Sequence, residues 1–178
     1  MTLTNNDLAL LPREDVGPSA VHTVLFYNGY VILVWNKEGT LPNGIKKDAG
    51  WGTPGGRVRE NESPFQAAKR EVYEELGAEI EKEDIKIYPK PLFVKKGGDR
   101  RDFYFVGEIS LSLDLPVGKK IEVRDPDENV SFFTVVNPFD IKKKNGSGFF
   151  LFESERVYSR HMDAVEIALG TDPQQTLK

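Results

Sequence analysis

The chain has 178 residues, 39% apolar and 29% charged, a balance that fits one soluble globular domain and sets aside disordered, fibrous and membrane-spanning classes. A formal net charge of −4 argues against a dedicated duplex nucleic-acid binder, which would carry a basic footprint. The absence of cysteine excludes disulfides, thiolate zinc sites and cysteine nucleophiles together.

Residues 1–19 are polar, carry Pro12 and Pro18, and offer only Leu8, Leu10 and Leu11 as apolar anchors, which reads as a loosely docked N-terminal arm. The first twenty residues have neither the basic start nor the apolar core of a signal peptide, and the aliphatic run 31–35 is too short to cross a membrane. The cytoplasm is the default compartment. Residues 21–27 and 30–35, rich in β-branched and aromatic side chains, predict two strands joined by a type I′ turn at Asn28-Gly29. His22 falls at the edge of the first strand and is assigned no chemistry. Residues 36–55 are polar, with Pro42, Gly44, Gly50 and Gly52, and show no hydrophobic period; a loop of this length is more often functional than idle. It closes on Trp51-Gly52-Thr53-Pro54-Gly55-Gly56, where adjacent glycines let backbone approach an ion or a phosphate.

A helix over 64–76 announces both ends. Ser63 is placed as N-cap, Pro64 follows at N1 and Gln66 completes a capping box, while Gly77 terminates it after Leu76. Phe65, Ala68, Val72 and Leu76 share one sector and predict the buried stripe. Glu71, Glu74 and Glu75 lie off that stripe at i, i+3 and i+4, so their carboxylates can converge on one surface. Such a cluster is either a solvated acidic face beside Lys69 and Arg70 or a site for a hard cation such as Mg2+ or Mn2+, which takes oxygen ligands.

Beyond a charged connector at 79–84, residues 85–88 and 92–94 read as strand pieces, with Pro89 and Pro91 marking an edge or a bulge. Residues 95–101 form a hairpin-like turn bearing Lys95, Lys96, Arg100 and Arg101, either a solvated tip or a contact for phosphate. Strands are predicted at 102–109 and 130–136, separated by a stretch that turns acidic. Residues 142–146 are a basic surface turn. Val157, His161, Ala164, Val165, Ala168 and Leu169 have the spacing of a helix packed along one face, with His161 as a packing residue. The domain is expected over 20–170, with a frayed tail at 171–178.

The run Gly56, five residues, Glu62, seven residues, Arg70-Glu71-Val72, one residue, Glu74-Glu75, one residue, Gly77 and a small apolar residue resembles the Nudix box of the Nudix hydrolases. Ala78 stands where that box favours a larger aliphatic residue, and Thr53 where an aromatic or aliphatic one is common. The resemblance implies an α/β fold, the Nudix-type α/β/α sandwich with a mixed β-sheet in a single domain. It implies hydrolysis, dependent on Mg2+ or Mn2+, of a diphosphate bond in a nucleoside diphosphate linked to another moiety. Nucleotide sugars, ADP-ribose-like compounds and nucleoside triphosphates all stay open. By position in the box Glu71 and Glu75 are metal ligands, Glu74 a ligand or the base, and Arg70 their orienting partner. Glu62 would hold the loop against the helix, and the Gly55 carbonyl would join the metal shell. A loop ahead of the last strand often donates another acidic residue in this family, which singles out Glu128 with Asp125 and Asp127 as rivals. Arg100 and Arg101 are candidate phosphate contacts, and Trp51 or Tyr104 a candidate platform for the base.

The isomerases that share the fold depend on a cysteine and are excluded. The signatures of NADH and coenzyme A pyrophosphatases are missing, and Pro91 comes slightly early for that of ADP-ribose hydrolases. The rival reading is a non-catalytic Nudix-like module that binds a nucleotide or regulates. The expected partner is a small-molecule nucleotide, with no duplex and no membrane; a homodimer is left open.

Overall fold

The computed structural model describes residues 3–40, 44–77, 80–123, 129–143 and 150–170. The chain begins with α1 (Asn5–Leu10) and α2 (Arg13–Val16), followed by β1 (Ser19–Tyr27), β2 (Tyr30–Asn36) and a small ladder of β3 (Gly39–Thr40) and β4 (Lys46–Lys47). Next come β5 (Gly50–Gly52), β6 (Gly55–Arg57), α3 (Pro64–Leu76), β7 (Ile85–Ile87), β8 (Phe93–Gly97) and β9 (Arg100–Ile109). The remaining elements are β10 (Ile121–Glu122), β11 (Val130–Val136), β12 (Lys142–Lys143), β13 (Phe150–Phe152), β14 (Glu155–Val157) and α4 (Ser159–Gly170).

β1 is the spine of one mixed sheet. It turns into β2 through Asn28 and Gly29, whose φ values of 49° and 81° are those of a type I′ turn. It pairs antiparallel with β6 and parallel with β9, from Ser19 opposite Arg101 to Phe26 opposite Glu108. Enclosed on both edges and both faces, it is buried at every position from Ser19 to Leu25, with Val21, Val24 and Leu25 apolar and His22 and Thr23 as buried polar residues. Alternation then divides the core. Val21 and Leu25, with Ile32, Val34, Phe103 and Phe105, pack on Ala67, Ala68, Val72 and Leu76 of α3. Val24, Leu33, Tyr104 and Val106 face the other way, onto Met162, Ala164, Val165 and Ala168 of α4. The result is the α/β/α sandwich with a mixed sheet that the resemblance implies.

Three local expectations change, and the one at Pro89 and Pro91 holds. The arm expected at 1–19 is not loose over its described residues 3–19: α1 carries a full capping box between Thr4 and Asp7, buries Ala9 and packs beside α3, and the Arg13 amide donates to the Glu62 carbonyl. The glycine-rich stretch holds β5, a strand of the main sheet between β2 and β14. It escapes a period search because it is three residues long and two are glycine. A hairpin of β13 and β14 precedes α4, so Val157 is a strand residue, and Leu169 is exposed. Finally, Pro89 and Pro91 separate β7 from β8, and those two short strands cover the edge of β9 in succession. The tail at 171–178 lies outside the described residues.

Candidate active site

The centre of α3 is organised by one guanidinium. Arg70 grips Glu62 with two bonds, Nε to Oε1 at 2.8 Å and Nη2 to Oε2 at 3.0 Å. Its Nη1 donates to Glu71 Oε1 at 2.8 Å and to Glu74 Oε2 at 2.9 Å, and Nη2 reaches the Arg57 carbonyl at 2.9 Å. Burial works against its charge, but these carboxylates outweigh it and hold the proton more firmly than in a free arginine. Glu62 in turn accepts the Arg59 amide at 2.9 Å. Burial alone would raise its pKa; the bonds from Arg70 and Arg59 bring it below the ordinary carboxylate value. Arg70 and Glu62 therefore lock the loop at 57–62 onto the helix.

Glu71 and Glu75 are the buried members of the acidic cluster, with 8% and 5% exposure. Glu71 is the costly one: burial pushes its pKa up, Arg70 partly restores it, and the neighbouring Glu74 charge pushes it up again. Two glycines allow close approaches here, Gly56 that of Glu71 and Gly55 that of β1. A Cβ on Gly56 would stand 2.3 Å from Glu71 Oε1, and one on Gly55 would stand 2.1 Å from the Val21 carbonyl in the adjacent strand. Gly55 also donates its amide to Glu75 Oε2 at 2.8 Å.

These residues open onto a cleft of about 740 Å3 between β1, β6, α3, the β3–β4 ladder and the start of α4. Among its described lining residues, Lys37, Lys47, Arg57, Arg59, Arg100 and Arg160 face three carboxylates, Glu38, Glu71 and Glu75. A protein of net charge −4 thus presents a cationic cleft around an anionic floor.

Two histidines complete the floor. His161 of α4 accepts the Thr53 amide on Nδ1 at 2.8 Å, so the neutral ring carries its proton on Nε2, and Arg160 Nε, 3.2 Å from Nε2, is a packing contact rather than a donor to it. His22 stacks on Tyr104 at 4.9 Å between centroids and meets the edge of His161 at 4.7 Å. Burial lowers both histidines, with Arg160 and Lys47 adding to the effect on each; His22 falls to about 3 and is uncharged at neutral pH.

Hard oxygen donors at the floor of a cationic cleft suit a divalent cation, and the raised pKa of Glu71 marks an anion that such a cation would relieve. The fit rests on two carboxylates. Among the described residues no three His, Asp or Glu side chains gather into a ready shell, because Glu74 turns away to Arg70 and to Arg59 Nη1 at 3.4 Å.

A sequence model of the NUDIX domain matches residues 18–148. The chain belongs to the Nudix family. The RNA pyrophosphohydrolase of Hydrogenovibrio crunogenus is 47% identical over 58 residues, which cover 32% of this chain and 33% of that protein; the chain spans about a third of the length of this curated relative. A NUDIX-family hydrolase from Clostridium perfringens superposes with a TM-score of 0.54 at 15% identity, over 87% of this chain and 98% of that one. An ADP-ribose pyrophosphatase from Streptococcus suis does so with a TM-score of 0.51 at 12% identity, over 88% and 93%. At these identities the superpositions speak for the fold alone.

Gly55, just ahead of the Nudix box, and the box residues Glu71 and Glu75 line the cleft, with Arg70 behind them, and Arg100 joins from β9. Three residues expected at the substrate are elsewhere. Trp51 is fully buried, donates Nε1 to Glu155 Oε2 at 2.7 Å and meets Trp35 and Phe152 edge-on, so it offers no free face to a base. Tyr104 is buried with its ring stacked by His22 and Phe93. Arg101 points to the opposite side of β9 from Arg100 and donates to the Val16 carbonyl, tying the N-terminal segment to the sheet. Glu128, Asp125 and Asp127 lie outside the described residues. Sequence reasoning missed His22, Lys47 and Arg160 as cleft residues. A polar ring inside an apolar strand was the only signal available for the first.

Proposed function

We propose that this Nudix pyrophosphohydrolase cleaves the diphosphate bond of a nucleoside diphosphate linked to another moiety, with a divalent cation, Mg2+ or Mn2+, held by Glu71 and Glu75. The observation that carries the reading is the pairing, among the described residues, of two buried carboxylates with six cations around one cleft. An anionic polyphosphate is drawn to such walls, and the floor keeps the negative charge a hard cation requires. When bound, the cation supplies charge neutralisation at the phosphoryl oxygens and acidifies a water nucleophile.

The chain's own residues do the rest. Arg70, braced by Glu62, fixes the Glu71 carboxylate, and the Gly55 amide fixes Glu75. Arg57, Arg100, Arg160 and Lys47 bind and orient the phosphates. Glu74 can take the proton of the attacking water only by releasing Arg70 and turning toward the cleft, a switch between two existing partners. The relatives' names add ADP-ribose and RNA to the candidates.

A panel of ADP-ribose, UDP-glucose, ATP and 5′-triphosphorylated RNA, assayed for release of phosphate or nucleotide with Mg2+ and with excess EDTA, tests the proposal. Turnover of at least one compound in Mg2+ and none in EDTA is expected. Glu75→Gln, which keeps shape and helix propensity, is expected to lose more than about tenfold, or roughly 1.4 kcal/mol of transition-state stabilisation. A wild type inert toward the whole panel, or turnover that ignores EDTA, overturns the proposal, and the former favours a nucleotide-binding module.

A further inference from the structure

We propose that Glu14, together with the backbone amide of Arg13, positions the Nudix box: the N-terminal segment holds the loop at 57–62 from outside, as Arg70 holds it from inside. The inference rests on the reading of Glu71 as a carboxylate of the cation site. Residues 59–62 form a turn closed by the Glu62 amide on the Arg59 carbonyl at 3.3 Å. Asn61, at its third position, takes φ of 60°, a left-handed conformation that asparagine tolerates better than most side chains. Glu60 and Asn61, at the tip, are exposed. Two bonds reach the turn from α2: Glu14 Oε1 accepts the Asn61 amide at 3.1 Å, and the Arg13 amide donates to the Glu62 carbonyl at 3.0 Å.

The segment that makes these bonds is itself fixed. Ala9 and Val16 are buried in the core shared with α3, Arg101 donates to the Val16 carbonyl, and the Arg101 amide donates to the Pro18 carbonyl at 3.0 Å. Glu62 is where the two supports meet. Its carbonyl takes the Arg13 amide, its carboxylate takes Arg70 Nε and Nη2, and Arg70 Nη1 carries the constraint on to Glu71 Oε1. Glu71 depends on that guanidinium, because a buried carboxylate has little water to take its place. Groups that orient a ligand from behind tune metal affinity without touching the ion. The ion pair of Arg13 with Glu60, at 4.0 Å and largely exposed, adds little.

The test begins in EDTA, where exchange of the Arg70 Nε proton with water is followed by NMR on the full-length 15N-arginine-labelled protein, with Arg70→Lys to assign the resonance. Glu14→Ala, which removes the acceptor, is expected to speed that exchange about threefold or more, since the proton exchanges when the clasp on Glu62 opens. Arg13→Pro should do the same: it deletes the donor amide at the first position of α2, where proline is otherwise accepted after the extended Pro12. Glu14→Gln, which keeps the Oε1 acceptor, should recover most of the loss, and Arg13→Ala, which keeps the amide, should exchange as wild type does. Titration of Mn2+ without substrate, read by electron paramagnetic resonance, is expected to show Kd raised about three- to tenfold in Glu14→Ala and Arg13→Pro. With a cleaved substrate, kcat should fall in both while KM stays within about twofold. Arg70 exchange unchanged in both variants overturns the proposal, as does wild-type Mn2+ affinity in variants whose Arg70 exchange or melting temperature has changed. Faster exchange in a protein that binds no Mn2+, or that is inert toward the substrate panel, would instead leave the brace standing and remove the cation or the hydrolase reading.

Discussion

Adjacent arginines on one strand have opposite fates, since successive side chains leave a strand on opposite faces. Arg100 lines the cleft and pairs with Asp102 at 2.7 Å, whereas Arg101 serves the Val16 carbonyl. Arg100→Ala is expected to raise KM about three- to tenfold, the worth of roughly 1 kcal/mol for an exposed charge contact, with stability unchanged. Arg101→Ala should leave KM alone and lower stability by about 1–3 kcal/mol, because it orphans a carbonyl. Steady-state kinetics and thermal melts on the two variants check this pair, and the reverse pattern would place Arg101 in the cleft. Glu71 gives a prediction in pH. Its folded pKa is raised, so the folded state binds this proton more tightly than the unfolded chain, and its share of stability is present at low pH and lost as pH rises through the raised value. In EDTA, Glu71→Gln should melt above wild type at pH 8, and the gap should close as pH falls toward the ordinary glutamate value of about 4.3. Glu62 shifts the opposite way but is common to both proteins, so it cancels in the comparison. A gap that widened in acid would mean that Arg70 more than compensates the burial of Glu71.

α3 was legible from sequence because everything that defines it is local. Ser63 Oγ accepts the Gln66 amide at 3.2 Å, Gln66 Oε1 accepts the Ser63 amide at 2.9 Å, and Gly77 takes φ of 63° at the other end. Ser63→Ala is expected to cost about 1 kcal/mol. For a chain of this size that corresponds to roughly 2–4 °C in Tm. Activity per folded molecule should persist, and a denaturation curve beside a rate assay measures both. The buried sectors of β1, β2, β9 and β11 were legible for a similar reason, since their apolar and β-branched runs are long. β5, β13 and β14 were not, because strands of three residues are defined by partners far along the chain rather than by their own pattern. Trp51 misled for that reason. Among glycines it reads as an exposed aromatic, and only the pairing of β5 with Trp35 on one side and Val157 on the other reveals that it is core. The surroundings of His22 were equally hidden, since Tyr104 and His161 come from β9 and α4.

At the scale of the molecule, charge is segregated: the chain is acidic in sum while, among its described lining residues, the cleft has twice as many cations as carboxylates. Screening lengths fall from about 10 Å at 0.1 M salt to about 3 Å at 1 M. KM for a polyphosphate substrate should therefore rise over that range while kcat, set by groups in contact, moves less. A KM indifferent to salt would mean that the basic rim does not hold the substrate. No described helix is long and apolar enough to cross a membrane. The placement of α4 has a consequence in time as well as in space. Arg160 and His161 belong to the cleft, yet they sit on the far side of the sheet from α3 in sequence order and are held to β5 through the Tyr158 amide on the Trp51 carbonyl at 2.9 Å. A chain emerging from the ribosome exposes its Nudix box long before these residues leave the exit tunnel. It carries its carboxylates and Arg70 without Tyr158, Arg160 and His161 on the opposite wall, so the cleft described above is complete only once residues 150–170 have docked.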